Sequence, residues 1–153
     1  MAKLKIFIEK VTLGATYMGE TYDFRVYGRT DSGKEVILFD DKFDLRDNQG
    51  KIVDCLIDAF MPQDINSIDG NEEYDPRHPL IEGKYIGNYK LSKKWEQCKN
   101  KNEFLYELNL EAIETKDGIM IIDSNDFKVP VNVGDNIIFN VGRLDLMAWL
   151  PID

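Results

Sequence analysis

Histidine and cysteine are scarce in this chain of 153 residues: His78 is the single histidine, and Cys55 and Cys98 are the two cysteines. Any dyad or triad built on histidine would have to use His78, which sits in YDPRHPL between an arginine and a proline. No G-x-S-x-G accompanies it, and the sequence has no H-E-x-x-H, C-x-x-C or glycine-rich phosphate loop. Two cysteines supply neither a disulfide framework nor enough ligands for a zinc site. No apolar run approaches the roughly 18 residues that a membrane-spanning helix requires. The opening MAKLKIFIEK interleaves Lys3, Lys5, Glu9 and Lys10 with its apolar positions, unlike a signal peptide. These absences set the expectation: a cytoplasmic protein with no membrane contact and no catalytic, cofactor-binding or metal-ligating residues.

Basic residues are also in deficit, 19 Lys and Arg against 28 Asp and Glu, for a net charge of −9. The excess is concentrated. Residues 62–82 carry one arginine against six acids, together with Pro62, Pro76 and Pro79, which oppose regular structure. This stretch reads as a solvated acidic connector. The negative sign argues against broad contact with nucleic-acid phosphates, which calls for clustered Lys and Arg.

What the chain does have is a repeated plan. TDSGKEVILFDDKFDLRDNQGKIVDCLI from Thr30 parallels TKDGIMIIDSNDFKVPVNVGDNIIFNV from Thr115. Each starts with Thr three residues before a turn Gly, Gly33 or Gly118. Next come an apolar run closed by Asp40 or Asp123, then Phe43 or Phe127, each seven residues before Gly50 or Gly134. The apolar runs, Val36–Phe39 and Ile119–Ile122, suit strands buried on both faces. Upstream, Tyr22, Phe24 and Val26 alternate with polar positions, as Phe104 to Ala112 do in FLYELNLEA, predicting strands with one wet face. Aligning the turn glycines shifts these faces by one residue, so the turns differ or a strand carries a bulge. KLKIFIEKV and GKYIGNYKL provide an earlier strand for each copy. LSKKWEQCKNKN places Leu91, Trp95 and Cys98 on one face of a short helix near residues 92–99, with Ser92 at its N-cap.

The fold expected is mainly β: two related four-strand units, residues 1–61 and 83–153, formed by internal duplication and joined by the connector 62–82. Four strands with a plug before the last resemble small barrels of the OB or SH3-like classes, in architecture alone. Units of about 60 residues are marginal alone, so the two are expected to pack as one cooperative body.

The same comparison bears on LFDDKFDLRDNQG, where four aspartates fall within eight positions. Asp44 faces Lys128 and Asp47 faces Val131 in the other copy, and the alternating oxygen ligands and closing Glu of a calcium loop are missing. The reading is a turn in which aspartates bond backbone N–H groups while Phe43 and Leu45 point inward.

A second anomaly is basic: Lys84, Lys90, Lys93, Lys94, Lys99 and Lys101 against Glu96 alone, interleaved with Tyr85, Tyr89 and Trp95. Cations beside aromatic plates suit single-stranded nucleic acid or another anion. Cys55, on the face of Val53, Ile57 and Ala59, reads as core, and Cys98 as buried beside Trp95. The C-terminal Leu144, Leu146, Met147, Trp149 and Leu150 read as core completion rather than an exposed patch. The leading functional expectation is a non-catalytic module that binds a protein partner, with Glu72, Glu73 and Asp75 as contacts to a basic surface. An immunity- or inhibitor-type protein fits that size and charge. The alternatives are a nucleic-acid-binding barrel using Lys84, Tyr85, Tyr89, Lys90, Lys93 and Lys94, and an enzyme whose groups converge only in space.

Overall fold

The computed structural model describes residues 3–64, 75–98 and 109–152, without the side chains of residues 63 and 64. The chain is mainly β. Its strands are β1 (Lys5–Leu13), β2 (Thr16–Tyr17), β3 (Glu20–Thr21), β4 (Phe24–Thr30), β5 (Glu35–Asp40), β6 (Ile52–Asp64), β7 (Leu80–Tyr89), β8 (Leu110–Thr115), β9 (Gly118–Ile122) and β10 (Asn136–Pro151). Eight form one sheet in the order β1-β4-β5-β10-β6-β9-β8-β7, and the end strands fold back so that β1 also pairs with β6 and β7 with β10. The hydrogen bonding therefore makes two closed rings that share the long antiparallel pair β6–β10.

The pairings of the two stretches correspond. β1–β4 and β4–β5 are antiparallel, as are β7–β8 and β8–β9. The third strand of each stretch then runs parallel to the last strand of the other: β5 beside β10, and β9 beside β6. The sheet is one fused system, and a single core cluster takes Ile6, Leu38 and Ile57 from one stretch and Ile113, Phe139 and Leu144 from the other.

Each local feature of the plan has a physical cause. Leu4, Ile6 and Ile8 alternate inward along β1. Of the two sources anticipated for a shift between the copies, the structure has the difference in turns. Thr30 and Lys34 close a three-residue turn at Gly33 (φ +86°), whereas Thr115 pairs with Gly118 across two residues. Bulges interrupt β1 between Ile8 and Lys10 and β7 between Tyr85 and Gly87, at corresponding places in the two stretches, whereas the β4–β5 and β8–β9 registers are continuous. At each bulge a left-handed glycine from the plug returns to the first strand: Gly50 (φ +84°) donates to Ile8 O at 2.7 Å, and Gly134 (φ +96°) to Tyr85 O at 2.8 Å. The two hairpin turns touch, with the Ser32 N–H and hydroxyl donating to the buried Asp117 carboxylate at 3.0 and 2.8 Å.

Several expectations need correction. Tyr22 lies before β4 and is exposed, because the strand begins at Phe24. β8 has no wet face over its middle: Ala112 and Ile113 are both fully buried, on opposite faces. Residues 104–108 lie outside the described residues. Pro62 does not break the chain but sits inside β6 opposite Val141, and β7 starts at Leu80, so strands enter the 62–82 stretch from both ends. The short helix is a 3₁₀ segment, Lys93–Cys98, in which the Ser92 carbonyl accepts from Trp95 N–H at 3.1 Å.

Trp95 and Cys98 cap a second apolar cluster on the outer face of the sheet with Leu56, Ala112, Ile121 and Ala148. Met147 and Leu150 pack against that cluster, while Leu144, Leu146 and Trp149 serve the main core. The C-terminal segment therefore completes both cores. Among the described residues no helix is long and apolar enough to cross a membrane.

Candidate functional site

The aspartate-rich bend is organised around Asp40. Its fully buried carboxylate accepts the backbone N–H groups of Lys42, Phe43 and Asp44, each at 2.9 Å. Asp41 pairs with Lys42, and Asp44 (φ +67°) pairs with Arg46, which holds its carboxyl below the usual range. Leu45 is fully buried beneath the bend, and Phe43 packs on the core. In the other stretch Asp123 accepts Asn125 N–H at 3.0 Å, and Phe127 meets Phe139 edge-on with centroids 5.2 Å apart. Each acid closes its strand and starts a plug.

The lysine-rich run is divided among different surroundings. Tyr85 is buried in the core and its hydroxyl donates to Glu111, so its ring is not offered to a base. That overturns Tyr85 as a stacking plate. Tyr89 is half-buried against the outer cluster. Lys94 bonds the buried Asp54 at 2.7 Å and lies 4.9 Å from the Trp95 ring centre. Lys84, Lys90 and Lys93 are exposed. Lys84 lines a cleft of about 640 Å³ with Lys34, Lys116, Glu82, Glu114 and Asp117. Lys34 is half-buried there, and desolvation lowers its pKa. Lys99, Lys101, Glu72 and Glu73 lie outside the described residues. Asp75 is paired with Arg77 at 3.0 Å, and His78, exposed, places Nδ1 2.9 Å from Gly142 O.

A different surface gathers more charge than any of these. Arg25 and Phe39 are cross-strand neighbours on β4 and β5, Phe39 neighbours Asp145 on β10, and Asp145 neighbours Asp58 on β6. These four residues form one row across the outer face. Beside the row, Arg143 donates to both carboxylate oxygens of Asp145, at 2.5 and 3.0 Å. Its guanidinium lies over Phe39 at 4.1 Å and over Phe60 at 5.1 Å. A bidentate carboxylate and two rings fix it in place.

Acids surround this centre. The Asp145 hydrogen bonds raise the Arg143 pKa, and Asp41 and Asp23 add to the effect. Asp58 is pushed up to about 6, first by burial, then by repulsion from Asp145, Asp126 and Asp123, with Arg143 acting in the opposite direction. It has no ion pair among the described residues. Phe60 remains 38 % exposed. The sequence carried a signal for this face: Asp58 and Asp145 each interrupt an otherwise apolar strand, in CLIDAF and RLDLMAWL.

Comparison with known protein families, curated proteins and solved structures finds no match.

Proposed function

We propose that the protein is a non-catalytic binding module that docks a basic protein partner on the face built around Arg143, acting as an inhibitor or immunity-type protein does. The observation that carries this reading is the arrangement around Arg143, held by both oxygens of Asp145 over Phe39 and the exposed Phe60, beside Asp58, which has no ion pair among the described residues and is repelled by Asp145, Asp126 and Asp123. A cation delivered from outside would relieve that repulsion and lower the cost of ionising Asp58. Phe39 and Phe60 provide apolar contact area beside it, and an aromatic centre inside a charged rim is the usual anatomy of a protein interface.

The test is fluorescence anisotropy with an arginine-rich peptide, an acidic peptide of equal length and a single-stranded oligonucleotide. The basic peptide is expected to bind and to weaken as salt rises. Two double variants of equal net charge separate a specific face from bulk attraction. Asp41→Lys with Asp126→Lys should weaken the basic peptide at least tenfold, whereas Glu82→Lys with Glu114→Lys in the lysine-lined cleft should change it little. Equal losses in both variants, or preference for the oligonucleotide, would count against the proposal.

A further inference from the structure

Asp54 poses a separate problem. It lies on β6 under the 3₁₀ segment, 2 % exposed, with one carboxylate oxygen bonded to Lys94 Nζ at 2.7 Å. The other oxygen, Oδ1, is buried and has no hydrogen-bond partner among the described residues. A buried acceptor left unpaired costs about 1–3 kcal/mol, more when it is charged. Asp54 also lines a cavity of about 260 Å³, with Lys3, Tyr89, Ser92 and Lys94 as its other charged or hydroxyl-bearing side chains. Trp95, Leu56, Ile119 and Leu4 supply the apolar part of the wall.

We infer that this cavity is a binding site for a small zwitterion, a free α-amino acid with an apolar side chain. The ligand ammonium donates to Asp54 Oδ1, the acceptor that the fold leaves open. The ligand carboxylate faces Lys94, whose ammonium has donors beyond the one given to Asp54, and Lys3. The apolar side chain lies along the Trp95 wall. Size restricts the class, because the cavity is below the roughly 300 Å³ at which drug-sized pockets begin. Charge restricts it further. A simple amine would add a third cation beside one carboxylate, and a simple acid would leave Oδ1 without a donor. Cys55 also lines the cavity, but burial raises its thiol pKa and keeps it protonated, so binding is non-covalent. The site is distinct from the acidic face and does not depend on the function proposed there.

Calorimetry and thermal unfolding of the full chain with L-leucine, L-leucinamide and 4-methylpentanoate test the inference. L-leucine should bind and raise Tm. The other two, each lacking one of the charged groups, should bind at least tenfold more weakly, and the amide also stands for a peptide N-terminus. Asp54→Asn should reduce L-leucine binding at least tenfold. Lys94→Met, which keeps an apolar stem over Trp95, should do the same if the Asn variant fails to fold. The Asp41→Lys, Asp126→Lys protein should bind L-leucine as the wild type does. No heat and no Tm shift with millimolar L-leucine would overturn the inference, as would equal binding of the amide or undiminished binding by the Lys94 variant.

Discussion

Asp40 and Asp58 show how differently two carboxylates can be buried in one sheet. Asp40 receives three backbone N–H groups and ends a strand. Asp58 receives no such donors among the described residues, and burial first, then neighbouring acids, raise its pKa to about 6 from an ordinary 3.8. The sign of the consequence follows from linkage. A carboxyl whose folded pKa is raised stabilises the fold below its unfolded pKa, and that contribution is lost as pH rises toward 6. Asp58→Asn should therefore raise stability at pH 7.5 by about 2 kcal/mol and have little effect at pH 3.5, as read from urea unfolding at the two values. Equal effects at both pH values would show that the carboxyl is not shifted. The role of Asp40 was legible from sequence because it closes an apolar run ahead of short polar residues, as Asp123 does, and both accept backbone N–H groups. The environment of Asp58 was not, since its neighbours come from β10 and from residues 123–126, far away in the chain.

At the scale of elements, the plugs and β7 depend on glycines for different reasons. Gly50 and Gly134 are left-handed, yet an added Cβ would meet nothing within 4 Å. Replacing either by Ala costs conformational strain alone, about 1 kcal/mol. Gly83 has the opposite problem: a Cβ there would lie 2.4 Å from Glu114 O, against backbone. Gly83→Ala should exceed Gly50→Ala in its cost by more than about 1 kcal/mol, measured by urea midpoint at unchanged slope. A reversed order would contradict the described contact of β7 with β8. Periodicity made β1 readable and an apolar run made β9 readable, but β5 was expected to be buried on both faces and instead buries Val36 and Leu38 while Ile37 and Phe39 stay partly exposed. Periodicity failed for Glu111, which the alternation placed on a wet face. Glu111 instead accepts hydrogen bonds from Tyr85 and Ser124, a pairing that depends on how β8 lies against its neighbours. The lysine-rich run misled for a similar reason, since spacing alone could not show that Tyr85 faces the core.

For the whole molecule, the exchange of parallel neighbours between the two stretches ties them together. β6 without β10 would lose its longest partner, and the main core would be divided. Unfolding should therefore be a single transition, with Trp fluorescence from Trp95 and Trp149 coinciding with the loss of far-UV circular dichroism. Two separated transitions would contradict a shared core. The mainly β class could be read from the sequence. The exchange of strands could not, because a strand's partner across the sheet leaves no mark in its own spacing.

Charge is the other property of the whole chain, and the acidic face gives the net −9 a place to act. The most direct measurement is an NMR titration of the Asp58 carboxyl, alone and with a saturating arginine-rich peptide. The midpoint should lie near 6 in the free protein and fall by at least one pH unit when the peptide is bound. A free midpoint near 4, or one that the bound peptide leaves unchanged, would contradict it.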